Sequence, residues 1–183
     1  MTKIFCTNKL KDFFGTVEQN LPTEQVSSEF GDWNGHLFWV DKRKCLIFMN
    51  NKTNYSIFLS DILKKDLRNF PNIFRQRLIE QLTNDKIIDQ NDISFANEIC
   101  GELALYKTNN DRRILGMINE FIHHFKANCF RKYEHLSVMD IVYETGLINT
   151  IPTGKPRELK KTWTNPVENL KEIKNQRTTN AHK

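Results

Sequence analysis

Three short apolar runs between residues 36 and 59 form the clearest pattern in the chain, and polar stretches that favour turns separate them. The middle run, residues 44–50, is apolar at successive positions and therefore on both faces of a strand. A strand of this kind is expected inside a sheet that is covered on both sides. Shorter β-rich runs at 3–7 and 102–108 predict further strands. The pattern predicts an α+β fold, with an antiparallel sheet that contains a central meander over about 36–59 and is covered by several helices.

Helical periodicity occupies much of the remaining chain. Apolar residues recur at helical spacing over 61–82, in two segments, and a longer amphipathic segment runs from about 112 to 132. Its predicted buried face consists of Ile114, Leu115, Ile118, Phe121, Ile122 and Phe125. A last helix is predicted after Asn165 and Pro166, an N-cap followed by proline. From Gln176 onward the pattern predicts no structure.

The positive charge of the chain is unevenly distributed. The net charge is +5, yet residues 1–154 carry 19 Lys and Arg against 19 Asp and Glu, whereas residues 155–183 carry 8 against 3. We therefore expect a single, neutral α+β globular domain over 1–154. A basic C-terminal extension over 155–183 is expected to be partly helical and then disordered. Such an extension adds sequence-independent attraction to phosphate backbones, although many basic ends are simply solvated.

Several classes of protein are disfavoured by features that the sequence lacks. No apolar run at the start has the length of a signal peptide, and none approaches the roughly 18 residues of a membrane span. The four cysteines lie far apart in apolar surroundings, which indicates buried thiols in a reducing cytoplasm. Metal-ligand spacings, phosphate-binding glycine loops and nucleophile motifs are missing. The sequence predicts a cytoplasmic protein with no metal, no cofactor and no membrane partner, and leaves open whether it is an enzyme.

Polar residues on the long helix form one candidate surface. Arg112, Gly116, Asn119, His123 and Lys126 recur at helical spacing, which predicts that they share one face. Cations together with an amide and an imidazole could bind a phosphate or a carboxylate, and the alternative is a solvated helix face. The glycine costs roughly 1 kcal/mol inside a helix relative to alanine, which suggests close packing or a ligand at that position.

The junction that precedes the long helix is a second candidate. Lys107, Arg112 and Arg113 flank the passage from a predicted strand into the helix. Unpaired amides and the helix dipole make such a position favourable for an anion. Asp111 has a simpler role available there, as the cap of the helix.

A predicted hairpin tip is the third candidate. Lys42, Arg43 and Lys44 cluster within three positions at the first turn of the meander. A basic tip can contact a nucleic-acid backbone, although charged tips are also ordinary protein surface. Trp33 and Trp39 lie nearby in the sequence and fit packing in the core or at its rim better than base stacking.

Short motifs along the chain resemble a known family through their order and spacing. They are residues 4–10, 31–33, 41–53, 107–119 and 149–152. In this respect the chain is similar, over roughly residues 3 to 175, to an uncharacterised bacterial family, domain of unknown function 6933. The resemblance implies a small bacterial protein of accessory or mobile-element type, and it implies no activity, cofactor or catalytic residue.

Three functions remain open at this point. The first is a non-enzymatic binding module that engages a protein or nucleic-acid partner through cationic surfaces. The second is a small enzyme for a phosphate-bearing substrate, with His123 as acid and base and Lys107, Arg112 and Arg113 holding the anion. The third is a homo-oligomeric scaffold in which a second copy covers the apolar sheet. The candidate binding residues are Lys42, Arg43, Lys44, Lys107, Arg112, Arg113, Asn119, His123 and Lys126.

Overall fold

Five strands and six α-helices make up the part of the chain that the structure describes. The structure is a computed structural model that describes residues 1–15, 17, 30–89, 92–153 and 164–181. The strands are β1 (Thr2–Cys6), β2 (Trp33–Val40), β3 (Arg43–Asn50), β4 (Ser56–Ser60) and β5 (Leu103–Lys107). The helices are α1 (Asn8–Phe14), α2 (Phe70–Asn84), α3 (Ile93–Cys100), α4 (Arg112–Asn128), α5 (Ile141–Asn149) and α6 (Pro166–Ala181). The predicted α+β class is confirmed.

The five strands form one mixed sheet in the order β4-β3-β2-β1-β5. Strands β2, β3 and β4 pair antiparallel in chain order. The turn between β2 and β3 consists of Asp41 and Lys42, both at positive φ, which suits a tight hairpin. Strand β1, in contrast, pairs in parallel with both β2 and β5. The prediction of an antiparallel sheet is therefore wrong for this half, because an apolar pattern reports burial and not the direction of a neighbouring strand.

Strand β3 is covered on both faces by helices of the same chain. On one face Leu46 and Phe48 belong to a core that α1, α2, α3 and α6 complete. On the other face Ile47 and Met49 belong to a core that α4 and α5 complete. The ring of Phe125 on α4 stacks against this second face. The doubly apolar pattern of β3 thus has its explanation within one chain.

The long helix α4 starts where the sequence places it. The Asp111 carboxylate accepts hydrogen bonds from the backbone amides of Arg113 and Ile114, at 3.0 and 3.1 Å. Five of the six residues predicted to be buried are buried, and Leu115 is half-buried. The helix ends at Asn128 and continues as one π-helical turn over Cys129–Tyr133.

The last helix, α6, is longer than the pattern predicts. Asn165 Oδ1 accepts a hydrogen bond from the Glu168 amide at 2.9 Å, so the predicted cap is present. The helix continues to Ala181, past Gln176, where no structure was expected. Polar residues at its end gave no apolar signal, and the contacts that hold this helix come from distant parts of the sequence.

Side chains of α6 attach it to the rest of the fold. Val167 and Leu170 are buried in the core on the α2 side of the sheet. Lys174 Nζ donates to the Ile87 carbonyl at 2.8 Å and forms an ion pair with Asp92. Arg177 forms an ion pair with Glu98, and its guanidinium lies 5.0 Å from the ring centre of Phe30. Two of the cations that appear as C-terminal excess charge therefore neutralise carboxylates of the domain.

The four cysteines are free and buried, as predicted. Burial raises the pKa of Cys6 to about 12 and that of Cys100 to about 11. Within the described residues, no helix is long and apolar enough to cross a bilayer. That same part of the chain holds no group of three or more His, Cys, Asp or Glu suited to a metal ion.

The direction of the strands decides which loops meet. Strands β1, β2, β4 and β5 all run toward one edge of the sheet, and β3 begins there. Their ends are staggered, because β1 and β5 stop level with Gly35 while the β2–β3 hairpin continues to Val40 and Arg43. Helix α4 starts near the opposite edge, where Arg113 contacts Asn51 and Asn54 beyond the end of β3. It then crosses the sheet, with Phe125 stacked on Phe58 at 4.4 Å between ring centres. The end of α4 therefore joins the loops at the first edge.

Candidate functional site

Lysine and arginine side chains concentrate at the edge toward which β1, β2, β4 and β5 run. We call this surface the basic edge and define it by the segments 7–14, 39–44, 61–69, 107–108 and 126–135. It carries twelve Lys and Arg against five Asp and Glu, whereas the other described residues up to 153 carry seven against eleven. Its cations are Lys9, Lys11, Lys42, Arg43, Lys44, Lys64, Lys65, Arg68, Lys107, Lys126, Arg131 and Lys132. Residues 1–154 carry no net charge in total, and the part of them that the structure describes is strongly polarised in space.

Direct contacts join four of these five segments, and Lys107 of the fifth pairs in register with Cys6, the residue before Thr7. Lys44 Nζ lies 5.2 Å from the ring centre of Phe13, Arg43 Nη1 lies 2.8 Å from Asp61 Oδ2, and His135 Nδ1 lies 3.6 Å from Asp41 Oδ2. The hairpin between β2 and β3 is the common member of all three contacts. It therefore connects α1, the segment after β4 and the segment after α4.

Most cations of the basic edge are available to a partner. Among the described residues, the edge cations that form ion pairs are Lys11, Arg43 and Lys132. The first two pairs lie at the surface, where an ion pair contributes little stability. The cations that are exposed and form no ion pair within the described part of the chain are Lys9, Lys42, Lys64, Lys65, Arg68, Lys107 and Arg131. Unpaired positive charge on one surface attracts polyanions over a distance of several ångströms.

Lys132 has a structural partner. Its Nζ lies 2.9 Å from Oε1 of Glu144, a fully buried carboxylate on α5. Tyr133 and Asn128 also donate hydrogen bonds to this carboxylate, at 2.9 and 2.7 Å. The π-helical turn brings the consecutive residues Lys132 and Tyr133 to the same acceptor. This cluster fastens the end of α4 to α5.

A cationic cluster that the sequence did not reveal lies at the end of β1. His36 on β2 is close enough to Lys9 and Lys126 for their charges to act on its imidazole. Burial lowers the pKa of His36, and the two lysines lower it further. Thr7 and His36 directly follow the register pair Cys6 and Gly35, and the buried hydroxyl of Thr7 has no hydrogen-bond partner among the described residues. Only the pairing of β1 with β2 brings these residues together, so sequence spacing alone could not identify them.

The predicted anion site before α4 is divided between the two edges. Lys107 pairs in register with Cys6 and lies on the basic edge. Arg113 Nη1 donates to Asn54 Oδ1 at 3.0 Å, and Nη2 donates to the Asn51 carbonyl at 2.9 Å, at the opposite edge. The first free amides of the helix are already bonded to Asp111. The guanidinium of Arg113 therefore has protein partners at the position where the sequence predicts an anion.

The predicted polar stripe of α4 is likewise spread along the helix. Arg112 and Lys126 are separated by fourteen residues, or about 21 Å along the axis. Asn119 and His123 are exposed between them, and Lys126 Nζ lies 6.0 Å from the ring centre of Phe38. A Cβ added at Gly116 would meet no atom within 4 Å, so close packing does not explain this glycine. Of the stripe, His123 and Lys126 lie toward the basic edge.

The opposite edge holds a network of hydrogen-bonded side chains, which we call the polar hub: Asn54, Tyr55, Asp85, Arg113 and Asn149. Tyr55 Oη donates to Asp85 Oδ2 at 2.7 Å. Burial and the neighbouring carboxylate raise the pKa of Tyr55 well above its ordinary value, so the phenol stays protonated. Asn149 bonds both backbone groups of Ser56, accepting from its amide and donating to its carbonyl, each at 3.0 Å. These are structural ties between β4, α2 and α5.

A pocket of about 240 Å³ lies beside the polar hub. Asp85, Tyr143, Leu147 and Val167 contribute to its lining. Gly146 also lines it, and a Cβ added there would approach Asp85 Oδ1 and Asn84 Nδ2 to 2.7 Å. A larger residue there would force these side chains to shift, whereas the space beside Gly116 is open.

The comparison with protein families gives one match. The model of a family described as a domain of unknown function (DUF6933) matches residues 3–169. The chain belongs to this family. None of the curated proteins matches it. The DUF6933 region includes every segment of the basic edge and the first turn of α6, which places the polarised surface within the family domain.

Two exposed aromatic side chains lie on the basic edge of this DUF6933 protein. Trp39 is 49% exposed and stands opposite Lys44 in the strand register, with Lys44 Nζ 5.4 Å from its ring centre. Phe130 is 57% exposed and precedes Arg131 on the π-helical turn. Trp33, in contrast, is buried against Phe74. Of the two tryptophans for which packing was expected, one is in the core and the other is half-exposed among cations.

Proposed function

We propose that this protein is a binding module that engages nucleic acid through the basic edge. The observation that carries the proposal is the segregation of twelve Lys and Arg against five Asp and Glu on one surface, whereas residues 1–154 as a whole carry 19 against 19. A phosphate backbone is a regular array of negative charge, and binding releases the counterions that surround it. A surface with at least seven exposed cations outside ion pairs suits that partner.

The arrangement of the cations supports an extended partner over a small one. They come from five separate segments of the chain and are spread over the whole edge of the sheet. A compact anion would need several of them to converge on one point. A polyanion can contact them one after another, and its orientation is then set by phosphate contacts.

The enzyme alternative has less support from the geometry. It requires His123 to act beside Arg112 and Arg113, yet about 15 Å of helix axis separates His123 from Arg113. The guanidinium of Arg113 is bonded to Asn51 and Asn54. The scaffold alternative assumed that a second copy covers the sheet, and helices of the same chain already cover both faces of β3.

Fluorescence anisotropy with labelled DNA and RNA tests the proposal. The full-length protein should bind at about 50 mM salt, and its affinity should fall about a hundredfold at about 200 mM salt if roughly four phosphates are contacted. An acidic polypeptide of similar length serves as the control for a protein partner. Absence of binding to every nucleic acid at low salt would exclude the proposal, and tighter binding to the acidic polypeptide would favour a protein partner instead.

A further inference from the structure

The aromatic side chains of the basic edge bear on which form of nucleic acid would bind. Among the described residues, the large aromatic side chains that are about half-exposed or more are Trp39, Phe130 and Tyr143. Two of the three lie on the basic edge, while Tyr143 lies on α5 beside the pocket at the polar hub. Exposed apolar side chains that occur singly are common on protein surfaces, so these two rings are informative through the cations around them. Trp39 and Phe130 both lie among cations of the basic edge.

Each of the two rings stands next to cations that could hold a backbone. Trp39 has Lys44 at 5.4 Å and lies two residues before the hairpin turn that carries Lys42. Phe130 is followed directly by Arg131. Surfaces that bind single strands combine cations for the backbone with aromatic rings on which bases stack. In a duplex the bases are already stacked on each other, so exposed rings gain little from it.

The positions of the rings are fixed by ordered structure. Trp39 belongs to β2 and pairs in register with Lys44 of β3, beyond the part of β2 that pairs with β1. Phe130 belongs to the π-helical turn, which the hydrogen bonds of Lys132 and Tyr133 to Glu144 hold against α5. Rings held in place lose little conformational freedom when a base stacks on them.

We propose that the basic edge binds single-stranded nucleic acid, with Trp39 and Phe130 as the side chains on which bases stack. This inference rests on the proposed nucleic-acid function and adds to it the preference for unpaired bases. Lys42, Lys44 and Arg131 contact the backbone beside the stacked bases.

Binding of three labelled probes separates the two levels of the proposal. The probes are a single-stranded oligonucleotide, a duplex of the same length and an abasic strand that keeps the phosphates without the bases. The single strand should bind tightest, because only it supplies bases free to stack. Equal binding of the single strand and the abasic strand would overturn the stacking proposal and leave nucleic-acid binding intact. Failure of all three probes at low salt would overturn both.

Substitutions of the rings test the assigned residues. Trp39→Ala and Phe130→Ala should each weaken binding of the single strand about five- to hundredfold and leave the abasic strand unaffected. Tyr143→Ala is the matched control, because Tyr143 is equally exposed and lies away from the basic edge. It should leave all three affinities unchanged. Equal effects of the three substitutions would contradict the assignment.

Intrinsic fluorescence gives a second readout. The chain has three tryptophans, of which Trp33 is buried and Trp163 lies outside the described residues. Stacking on Trp39 should quench the wild-type emission upon addition of the single strand. Trp39→Phe keeps an aromatic ring, so it should retain most of the affinity and lose the quenching. Quenching that persists in Trp39→Phe would show that Trp39 does not contact the bases.

Discussion

The two edges of the sheet use the same types of polar residue in opposite ways. At the polar hub, Arg113 donates two hydrogen bonds to other groups of the protein, and Asn149 bonds both backbone groups of Ser56. At the basic edge, cations such as Lys64 and Arg131 are exposed and form no ion pair within the described part of the chain. A buried polar group that lost its partner would cost free energy of folding, whereas an exposed cation costs almost none. We infer that one edge maintains the fold and the other is available for binding.

Part of the positive charge at the C-terminal end of the chain is used in ion pairs within the fold. Lys174 and Arg177 are paired with Asp92 and Glu98, on the side of the molecule with excess carboxylates. Removing residues from 155 onward would delete Val167 and Leu170 from the core, so truncation would unfold the domain instead of isolating its charge. Point substitutions at the two edges are the appropriate way to assign binding.

The largest effect on stability is expected at the polar hub. Asn149→Ala leaves the buried amide and carbonyl of Ser56 without partners, and it should lower the free energy of unfolding by about 2 to 5 kcal/mol. Asn119→Ala is the control, because Asn119 is an exposed helical asparagine and its replacement should change stability by less than about 0.5 kcal/mol. Urea denaturation measures both. Similar losses of unfolding free energy for the two variants would show that the polar hub contributes no more to stability than an exposed asparagine does.

Two helical glycines should respond to alanine with opposite signs. Gly146→Ala places a Cβ 2.7 Å from Asp85 Oδ1 and should destabilise the protein by about 1 to 3 kcal/mol. Gly116→Ala meets no atom within 4 Å and should stabilise it by up to about 1 kcal/mol through helix propensity. Thermal unfolding followed by circular dichroism gives the sign directly. Destabilisation by Gly116→Ala would mean that another group packs against the exposed face of α4.

The smallest effect concerns the cationic cluster around His36. In the folded state the pKa of His36 lies below its ordinary value of 6.5. At a pH between the folded and the unfolded pKa, the unfolded state therefore binds more protons than the folded state. Stability should therefore fall as the pH drops below about 6.5, and this loss should be smaller in His36→Gln. Lys9 and Lys126 are the charged groups acting on this imidazole. Urea midpoints at pH about 7.5 and about 5.5 measure the difference, and identical pH dependence in both proteins would contradict the account.

Much of the fold follows from the sequence because its signals are local. The apolar run of β3, the cap at Asp111 and the Asn165–Pro166 start of α6 each depend on adjacent residues. The parallel pairing of β1 with β2 and β5 does not, since it joins residues that are far apart in the chain. The length of α6 was underestimated for the same reason, because Arg177 is held by Glu98.

The candidate surface could be predicted only in part. Lys42, Arg43, Lys44, Lys107 and Lys126 were identified from local clusters and all lie on the basic edge. Arg112 and Arg113 had the same charge and a similar setting in the sequence, yet they lie at the opposite edge. Lys64, Lys65 and Arg68 were missed because their relation to the hairpin depends on where β4 ends. Residues 1–154 carry no net charge in total, so the segregation of cations to one surface follows from the topology of the chain and not from its composition.

We propose that the basic edge, and not positive charge in general, binds nucleic acid. A comparison of Arg131→Glu with Arg112→Glu separates the two, since both arginines are exposed and they lie at opposite ends of the sheet. Anisotropy titrations should show that Arg131→Glu weakens binding about tenfold at low salt and reduces the salt slope by about 1, while Arg112→Glu changes neither. Equal weakening by the two substitutions would contradict the claim.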